Sequence, residues 1–533
     1  MTSVIRLRPE TTGNTNFALA CRSSVHETTF RRQTGTSPQT RKKMKRPTKE
    51  NALLLRIRSG QPITVRQQLY LTAQLSLPSI MAQISSITMQ YIDAAMVGSL
   101  GASASASIGL VSTTTWLFMG LCSAVSAGFA VQVAHRLGAK NVRGARAVLR
   151  QSLLMALCFS VMLAAIGCTI SRGLPTWLGG GDDICHDAAA YFLVFSLSLP
   201  FFQLNVLGSA MLRSSGNMYV PSLLNMQMCL LDVVFNMFLI FPTQTYHIFD
   251  RSIMIPGAGL GVTGAALGTA LAVVVTSAMM LYSLCVRSAE LRLVGRRGSF
   301  RPTMDCLGKA FRISLPMGAE RILMCGAQIM TTVIVAPLGT YAIAANAFAI
   351  TAESLCYMPG YGVSDAATTL VGQSIGAKRW DLARRFAYIT VGSGIAVMTA
   401  MGIAMYAGAP FMIGIMTPDK DVLDLGVAML RIEAFAEPMF AASIVAYGVF
   451  VGAGDTLVPA TMNLISIWVV RLSLAAILAP TMGLRGVWLA MCLELCFRGI
   501  IFLVRLCRGK WIKNCNQGYA SRKTNNRTPP AGY

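Results

Sequence analysis

Long apolar segments separated by short polar ones occupy most of the chain from residue 76 to residue 506. An apolar run of about 20 residues spans a hydrocarbon layer about 30 Å thick when it is helical. The pattern predicts twelve transmembrane helices, at residues 76–99, 106–131, 147–170, 190–212, 218–241, 259–285, 312–337, 342–371, 386–415, 425–451, 457–479 and 484–506. The eighth of these contains Pro359 and Gly360, where the helix could break.

Composition supports the same class of protein. Hydrophobic residues make up 54% of the chain and charged residues 13%, with a mean hydropathy of +0.55. The surface of a water-soluble globular protein could not be built from this balance. The sequence therefore predicts an all-α integral membrane protein.

Basic residues are distributed unevenly between the predicted loops. Of the 46 Lys and Arg residues, 14 precede the first helix and 24 lie in alternate loops or the C-terminal tail. The other loops hold only Arg172, Arg251, Lys420 and Arg485. By the positive-inside rule, both termini are predicted to be cytoplasmic, in a cell membrane (inner or plasma). The net charge of +24 then reflects topology and contacts with anionic lipids, and we expect no nucleic-acid partner.

The terminal segments and the cysteines carry little further chemistry. Residues 1–69 are basic and are predicted to form a disordered cytoplasmic N-terminus, and residues 507–533 a cytoplasmic tail. A transit peptide has a similar composition, and translation from either Met1 or Met44 is compatible with the sequence. The 14 Cys residues are scattered without a CxxC pair, which indicates small hydrophobic side chains rather than disulfides or a metal site.

The chain repeats itself with a constant spacing of 238 residues. The matched positions are Pro78 and Pro316, Gly138 and Gly376, Arg146 and Arg384, Pro200 and Pro438, Gly216 and Gly454, and Pro221 and Pro459. This register predicts an N-lobe at 70–285, a cytoplasmic linker at 286–311 and a C-lobe at 312–506. Because each lobe has an even number of helices, the two are predicted to be parallel repeats about an axis along the membrane normal.

Several segments carry a resemblance to a known family. They are "LSLPSIMAQISSITMQYIDAAMVGSLGASASASIG", the loops "RLGAKNVRGAR" and "SIGAKRWDLAR", and "GVTGAALGTALA". Together they resemble the MATE (multidrug and toxic compound extrusion) family over about residues 70–505. The resemblance implies a V-shaped pair of six-helix lobes. It also implies an antiporter that exports small organic, often cationic, drugs or metabolites by alternating access, with H⁺ or Na⁺ as the coupling ion and no other cofactor.

Two acids stand inside the predicted N-lobe helices. Counting at about 1.5 Å per residue, Asp93 lies about 25 Å along the first helix and Asp232 about 20 Å along the fifth, so both are at similar depth. A mid-membrane acid costs about 2.5–3.5 kcal/mol, which makes it a functional candidate. Their repeat partners are Thr331 and Val470, so neither acid serves the shared fold. We predict that the pair binds H⁺ or Na⁺, and the resemblance implies the same role.

Other polar residues are weaker candidates. Gln83, Asn225 or Asn236 could supply an amide to the pair, because Met228 and Cys229 stand where related chains often have Asn. In the C-lobe, Glu320 and Glu353 are possible functional acids, whereas Glu437 and Glu494 are interpreted as structural. Further charged residues in or near the C-lobe helices are Arg321, Asp365, Glu433 and Arg471.

Two other functions remain open at this stage. A lipid-linked glycan flippase of the same superfamily would favour a basic central cavity. The intramembrane bases are few, chiefly Arg321, Arg471 and Arg498, which argues weakly against this function. An intramembrane enzyme is disfavoured, because the sequence has no HExxH or GxSxG motif and no catalytic residues are predicted. The sequence leaves the substrate and the choice of H⁺ or Na⁺ open, and a monomer is expected.

Overall fold

The structure is a computed structural model that describes residues 49–248, 251–417 and 419–512. A short helix, α1 (Lys49–Ser59), precedes the two lobes. The first lobe consists of α2 (Val65–Gly98), α3 (Ala102–Gly138), α4 (Val142–Ile170), α5 (Leu174–Trp177), α6 (Asp182–Ser214), α7 (Tyr219–Ile240) and α8 (Gly261–Tyr282). The second consists of α9 (Met304–Val335), α10 (Thr340–Gly376), α11 (Trp380–Gly414), α12 (Lys420–Ala434), α13 (Glu437–Ala453), α14 (Leu457–Ile465), α15 (Leu472–Met482) and α16 (Leu484–Arg508).

All twelve predicted helices are present, with α12 and α13 forming one bent span and α14 and α15 joined through a π-helical segment at Ser466–Arg471. Within the described residues, nine helices, or ten with the bent pair, are long and apolar enough to cross a membrane by themselves. The two below that limit are α2 and α10, which pack against each other. Buried polar side chains on these helices, such as Gln68, Ser79 and Gln373, face protein rather than lipid, which helps to accommodate two less apolar helices.

The repeat is visible in the backbone as well as in the sequence. Three pairs of residues with positive φ are spaced by 238: Gly101 and Gly339 (119° and 97°), Lys140 and Lys378 (58° and 59°), and Gly216 and Gly454 (91° and 81°). Each pair ends or begins the same helix of its lobe. The predicted pair of six-helix repeats is therefore confirmed at the level of individual turns.

The predicted break at Pro359 is wrong, since α10 continues through it from Thr340 to Gly376. The break occurs instead between α12 and α13, which meet at an angle of 58°. Pro438 is the second residue of α13, a position where its missing N–H leaves no helical hydrogen bond unmade. Its repeat partner Pro200 lies inside the unbroken α6.

Three segments differ from the predicted boundaries. Part of the N-terminus expected to be disordered is helical in α1, and α2 begins at Val65 with a capping box in which Thr64 and Gln67 bond reciprocally. The first turns of α9 lie in the predicted linker. The loop after α7 is an antiparallel hairpin, β1 (Pro242–Ile248) and β2 (Arg251–Ala258), which the helix pattern did not predict. The rest of the predicted termini, residues 1–48 and 513–533, lies outside the described residues.

The loops at 135–150, 287–312 and 376–385 lie at the ends of α3, α8 and α10, and we call this end of the bundle the basic end. There the lobes are joined by two equivalent hydrogen bonds. His135 Nε2 of α3 donates to the carbonyl of Gly452 on α13 at 2.8 Å, and Gln373 Nε2 of α10 donates to the carbonyl of Ser214 on α6 at 2.8 Å. Donors and acceptors are each 238 residues apart, so the pseudo-twofold axis passes between these bonds.

Candidate functional site

The N-lobe acids meet between α2 and α7. The carboxyl groups of Asp93 and Asp232 interact with each other, and Asn236, one turn beyond Asp232, donates from Nδ2 to Asp93 Oδ1 at 3.0 Å. Asp232 and Asn236 are fully buried, with 0% and 1% of their surface exposed. Of the three amides proposed from the sequence, the structure brings Asn236 to the pair.

Two further helices, α6 and α8, enclose the site that contains Asp93 and Asp232. Tyr191 of α6 and Thr269 of α8 lie close to the carboxyl groups. Gly268 leaves space for the amide, because a methyl group on it would lie 2.1 Å from Asn236 Oδ1. Both oxygens of Asp232 and Oδ1 of Asn236 are buried without a well-directed hydrogen bond from any described donor. Such oxygens are costly unless a proton or a cation satisfies them.

Gln83 and Asn225 lie elsewhere. They line a separate polar cavity of about 30 Å³ between α2, α6 and α7, together with Ser79, Ser86 and Arg213. Ser86 also interacts with Cys229, whose thiol lies close enough to Asp93 and Asp232 to interact electrostatically with them. This small cavity therefore lies beside the acid pair and extends towards Arg213.

A larger cavity of about 230 Å³ lies between the lobes. Its charged lining residues are Arg213, Glu320, Arg321, Asp365 and Arg498. Glu320 accepts hydrogen bonds from the Tyr447 hydroxyl at 2.6 Å and from Asn463 Nδ2 at 2.7 Å. The structure thus places this predicted C-lobe acid at the interlobe cavity, where three helices of its own lobe hold it.

An ion pair crosses from one lobe to the other at this cavity. Arg213 of α6 donates to Asp365 of α10 at 2.7 Å, and Ser79 of α2 donates to the same carboxylate oxygen at 3.0 Å. Since α2 also carries Asp93, a single helix connects the acid pair to the contact between the lobes. Sequence reasoning noted Asp365 but gave it no role, because its partner lies 152 residues away.

The C-lobe contains a second buried group of acids. Glu353 of α10 lies near Glu433 and Glu437, which flank the bend between α12 and α13. All four carboxyl oxygens of Glu433 and Glu437 are buried without a hydrogen-bond donor among the described residues. The sequence signal was a pair of acids four residues apart in "EAFAEP", which an unbroken helix would place on one side; in the structure the bend between α12 and α13 falls between them.

Glu494 of α16 is held in a different way. Arg498 donates to it from Nε and Nη2, both at 2.8 Å, and Arg471 donates from Nε at 3.0 Å. Arg471 lies in the π-helical segment of the eleventh span. Glu494 is therefore a buried carboxylate paired with two arginines.

Both the sequence and the fold match those of known proteins. The sequence model of the family MatE matches residues 78–238 and 316–477, once in each lobe. A probable multidrug resistance protein NorM of Thermotoga maritima is 26% identical over 445 residues, covering 83% of this chain and 92% of that protein. Another of that name, from Idiomarina loihiensis, is 25% identical over 449 residues, covering 82% and 93%.

A solved structure has the same fold. The outward-facing conformation of a multidrug resistance MATE family transporter of the MOP superfamily superposes with a TM-score of 0.77. It is 22% identical, and the match covers 88% of this chain and 99% of that one. The two-lobe arrangement of helices is therefore shared.

Proposed function

Because this chain belongs to the MatE family of membrane transporters, we propose that it exports small organic molecules, including drugs, in exchange for H⁺ or Na⁺. The names of its relatives support multidrug substrates. The interlobe cavity supplies a place for a substrate, and the basic residues at one end of the bundle support a cytoplasmic location for that end and both termini. We expect the basic loops to contact anionic lipids and the protein to act as a monomer.

The observation that carries the proposal is the pair of Asp93 and Asp232 with its unsatisfied oxygens. Two carboxylates in one buried site repel each other, so uptake of one cation is favoured. A proton would let one carboxyl donate to the other, whereas Na⁺ would be coordinated by the oxygens of Asp93, Asp232 and Asn236. Either ion releases about 2.3 kcal/mol per 100 mV of membrane potential.

Coupling requires that ion binding favour one arrangement of the lobes over the other. Helix α2 carries Asp93 at the ion site and Ser79 at the contact with Asp365. A change in the bend of α2 on ion binding would therefore alter the contact between Arg213 and Asp365. Opening of the cavity to the basic end also requires that the hydrogen bonds of His135 and Gln373 break.

Transport into inverted membrane vesicles tests this function. Uptake of a fluorescent substrate should be measured with a pH gradient alone and with a Na⁺ gradient at fixed pH. Asp93→Asn and Asp232→Asn should abolish gradient-driven uptake while leaving the protein inserted. Asp182→Asn, which changes an exposed acid at the start of α6, is the control. A correctly inserted Asp93→Asn protein that transports at the normal rate under both gradients would refute the coupling site.

One observation favours the lipid-linked glycan flippase as a second candidate. Arg213, Arg321 and Arg498 all line the interlobe cavity, so three basic side chains converge on one site. Two of them are neutralised by Asp365 and Glu494. Reconstituted vesicles with a fluorescent lipid-linked diphosphate sugar in one leaflet distinguish the candidates, because only a flippase would make that lipid accessible to a quencher on the other side.

A further inference from the structure

Arg321 differs from the other two arginines of the interlobe cavity. Arg213 is paired with Asp365 and Arg498 with Glu494. Arg321 makes no ion pair or side-chain hydrogen bond with any residue in the described ranges. A guanidinium on a cavity wall without a carboxylate partner is a ready binding group for an anion.

The neighbouring acid does not replace that partner. Glu320 and Arg321 are adjacent in α9, and successive residues of a helix point in directions about 100° apart. Both carboxylate oxygens of Glu320 are occupied by Tyr447 and Asn463. The charge of Glu320 acts on Arg321 through space, but among the described residues no hydrogen bond joins the two, so the N–H donors of Arg321 are available to a molecule in the cavity.

The position of Arg321 is fixed by the opposite lobe. Its side chain crosses to α3, where a methyl group on Gly120 would lie 3.2 Å from both Cγ and Cδ of Arg321. The guanidinium is thus supported by packing between the lobes. When the lobes separate that support is lost, so an anion bound there would have different affinities in the two states.

The remaining walls indicate the rest of the ligand. Tyr361, Phe440 and Tyr447 provide aromatic surface, and Met317 and Met324 provide adaptable apolar surface. We propose that the cavity binds small aromatic molecules that carry a carboxylate, and that the guanidinium of Arg321 binds this carboxylate. The substrates are then organic anions or zwitterions rather than purely cationic compounds. This inference rests on the proposed transport function and names its substrate class.

A matched pair of dyes tests the inference: a rhodamine with a free carboxylate and its methyl ester. Binding to the purified protein in nanodiscs is measured by fluorescence anisotropy, with no ion gradient. The wild-type protein should bind the carboxylate dye more tightly than the ester. Arg321→Gln should weaken binding of the carboxylate dye about tenfold or more and that of the ester less than threefold. Arg485→Gln, at an exposed position, is the matched control.

Further results would overturn the inference. Equal loss of both dyes in Arg321→Gln would show that the side chain is structural. If the wild-type protein bound the ester more tightly than the carboxylate dye, the cavity would be a cation site. If inorganic phosphate displaced the carboxylate dye as strongly as benzoate does, the site would not be specific for carboxylates. Because binding is measured without a gradient, it is independent of the coupling site. Intact binding with no transport would contradict the proposed function alone.

A separate observation concerns α1, the helix that precedes the lobes. Leu54 and Ile57 are 1% and 0% exposed. Leu54 packs on Gly216 at the end of α6, where a methyl group would lie 2.0 Å from Leu54 Cδ1. Arg58 donates to Gln373 Oε1 of α10 at 3.2 Å, to the carbonyl of Ser215 at 3.1 Å, and to Glu290 in the linker. One short helix therefore contacts the N-lobe, the C-lobe and the segment that joins them.

We infer that α1 is a latch that holds the basic end closed. Gln373, which accepts from Arg58, is the same residue that bonds Ser214 of the opposite lobe. Separation of α6 from α10 at this end must break the Arg58 contacts on one side or the other. The latch therefore sets the fraction of molecules whose basic end is open.

Exposed and buried residues of the same helix provide matched variants. Leu54→Asn and Arg58→Ala should raise hydrogen–deuterium exchange severalfold in the peptides covering residues 206–218 and 369–380. Leu55→Asn and Arg56→Ala, at exposed positions of α1, should not. Unchanged exchange in both of these peptides, in a buried variant whose α1 peptide exchanges faster than in the wild type, would overturn the latch. So would exchange that rises equally throughout the protein, which would indicate general destabilisation.

Discussion

Gly138 of α3 and Gly376 of α10 are repeat partners, and each packs against the backbone of the other's helix. A methyl group on Gly138 would lie 2.1 Å from the carbonyl oxygen of Gln373, and one on Gly376 would lie 2.1 Å from that of His135. The two helices approach this closely because neither residue has a side chain. The closest contact between the lobes at the basic end is therefore made twice, once in each direction.

We expect Gly138→Ala or Gly376→Ala to force α3 and α10 apart at the basic end. Overpacking of this kind costs about 1–3 kcal/mol, and each variant should melt at a lower temperature than the wild type in detergent. Gly392→Ala is the control, since a methyl group there has no neighbour within 4 Å and alanine favours a helix. Equal melting temperatures for the Gly138 and Gly392 variants would contradict this account of the interface.

The symmetry of the basic end also predicts which residue can replace His135. Gln373 makes the equivalent hydrogen bond to Ser214, so His135→Gln should preserve the bond to Gly452. His135→Ala removes it, at a cost of about 0.5–1.5 kcal/mol. Hydrogen–deuterium exchange at residues 449–456 should therefore increase in His135→Ala and stay near the wild-type level in His135→Gln. Similar increases in both variants would show that the imidazole has a role beyond this bond.

Much of the fold was predictable because membrane helices and repeats leave regular patterns in a sequence. The spacing of 238 residues predicted which turns of the two lobes match. The similar depths of Asp93 and Asp232 along their helices predicted that the two acids lie close together. The choice of amide was not predictable. Asn225 and Asn236 lie seven residues before and four after Asp232, so all three share one face of α7. Only the position of α7 along α2 determines which amide reaches Asp93.

Other features depend on contacts between distant segments. One such contact joins Arg213 of the N-lobe to Asp365 of the C-lobe, and another joins Arg58 of α1 to Gln373 of the C-lobe. No periodicity in the sequence relates the members of either pair. The helical part of the N-terminus was not predicted, because Leu54 and Ile57 of α1 are buried by distant segments, including α2 and α10, rather than by an apolar pattern of α1 itself. The hairpin of β1 and β2 was not predicted, because strands of seven and eight residues contain no apolar run of helix length.

Gly268 should affect transport only through Asn236. Gly268→Ala places a methyl group against Asn236 Oδ1 and should displace the amide from Asp93. We expect it to reduce gradient-driven uptake in vesicles about as much as Asn236→Ala does. The double variant should be no worse than either single one, because both changes remove the same contact. Additive losses would mean that Gly268 acts independently of the acid pair.

Two buried C-lobe glutamates should respond in opposite ways to loss of charge. Glu494→Gln leaves Arg471 and Arg498 without their carboxylate and should destabilise the protein by about 3–5 kcal/mol, seen as a lower melting temperature and yield. Glu437→Gln removes a carboxyl group that has no hydrogen-bond donor among the described residues, so stability should be unchanged or higher.

Gradient-driven uptake by vesicles containing the Glu437→Gln protein then tests whether the buried C-lobe acids take part in coupling. Normal uptake with Glu437→Gln would show that this carboxyl group is not required for coupling. Abolished uptake in a stable Glu437→Gln protein would show that Glu353, Glu433 and Glu437 form a second ion site. A Glu437→Gln protein as unstable as Glu494→Gln would contradict the contrast between unpaired and paired carboxyl groups.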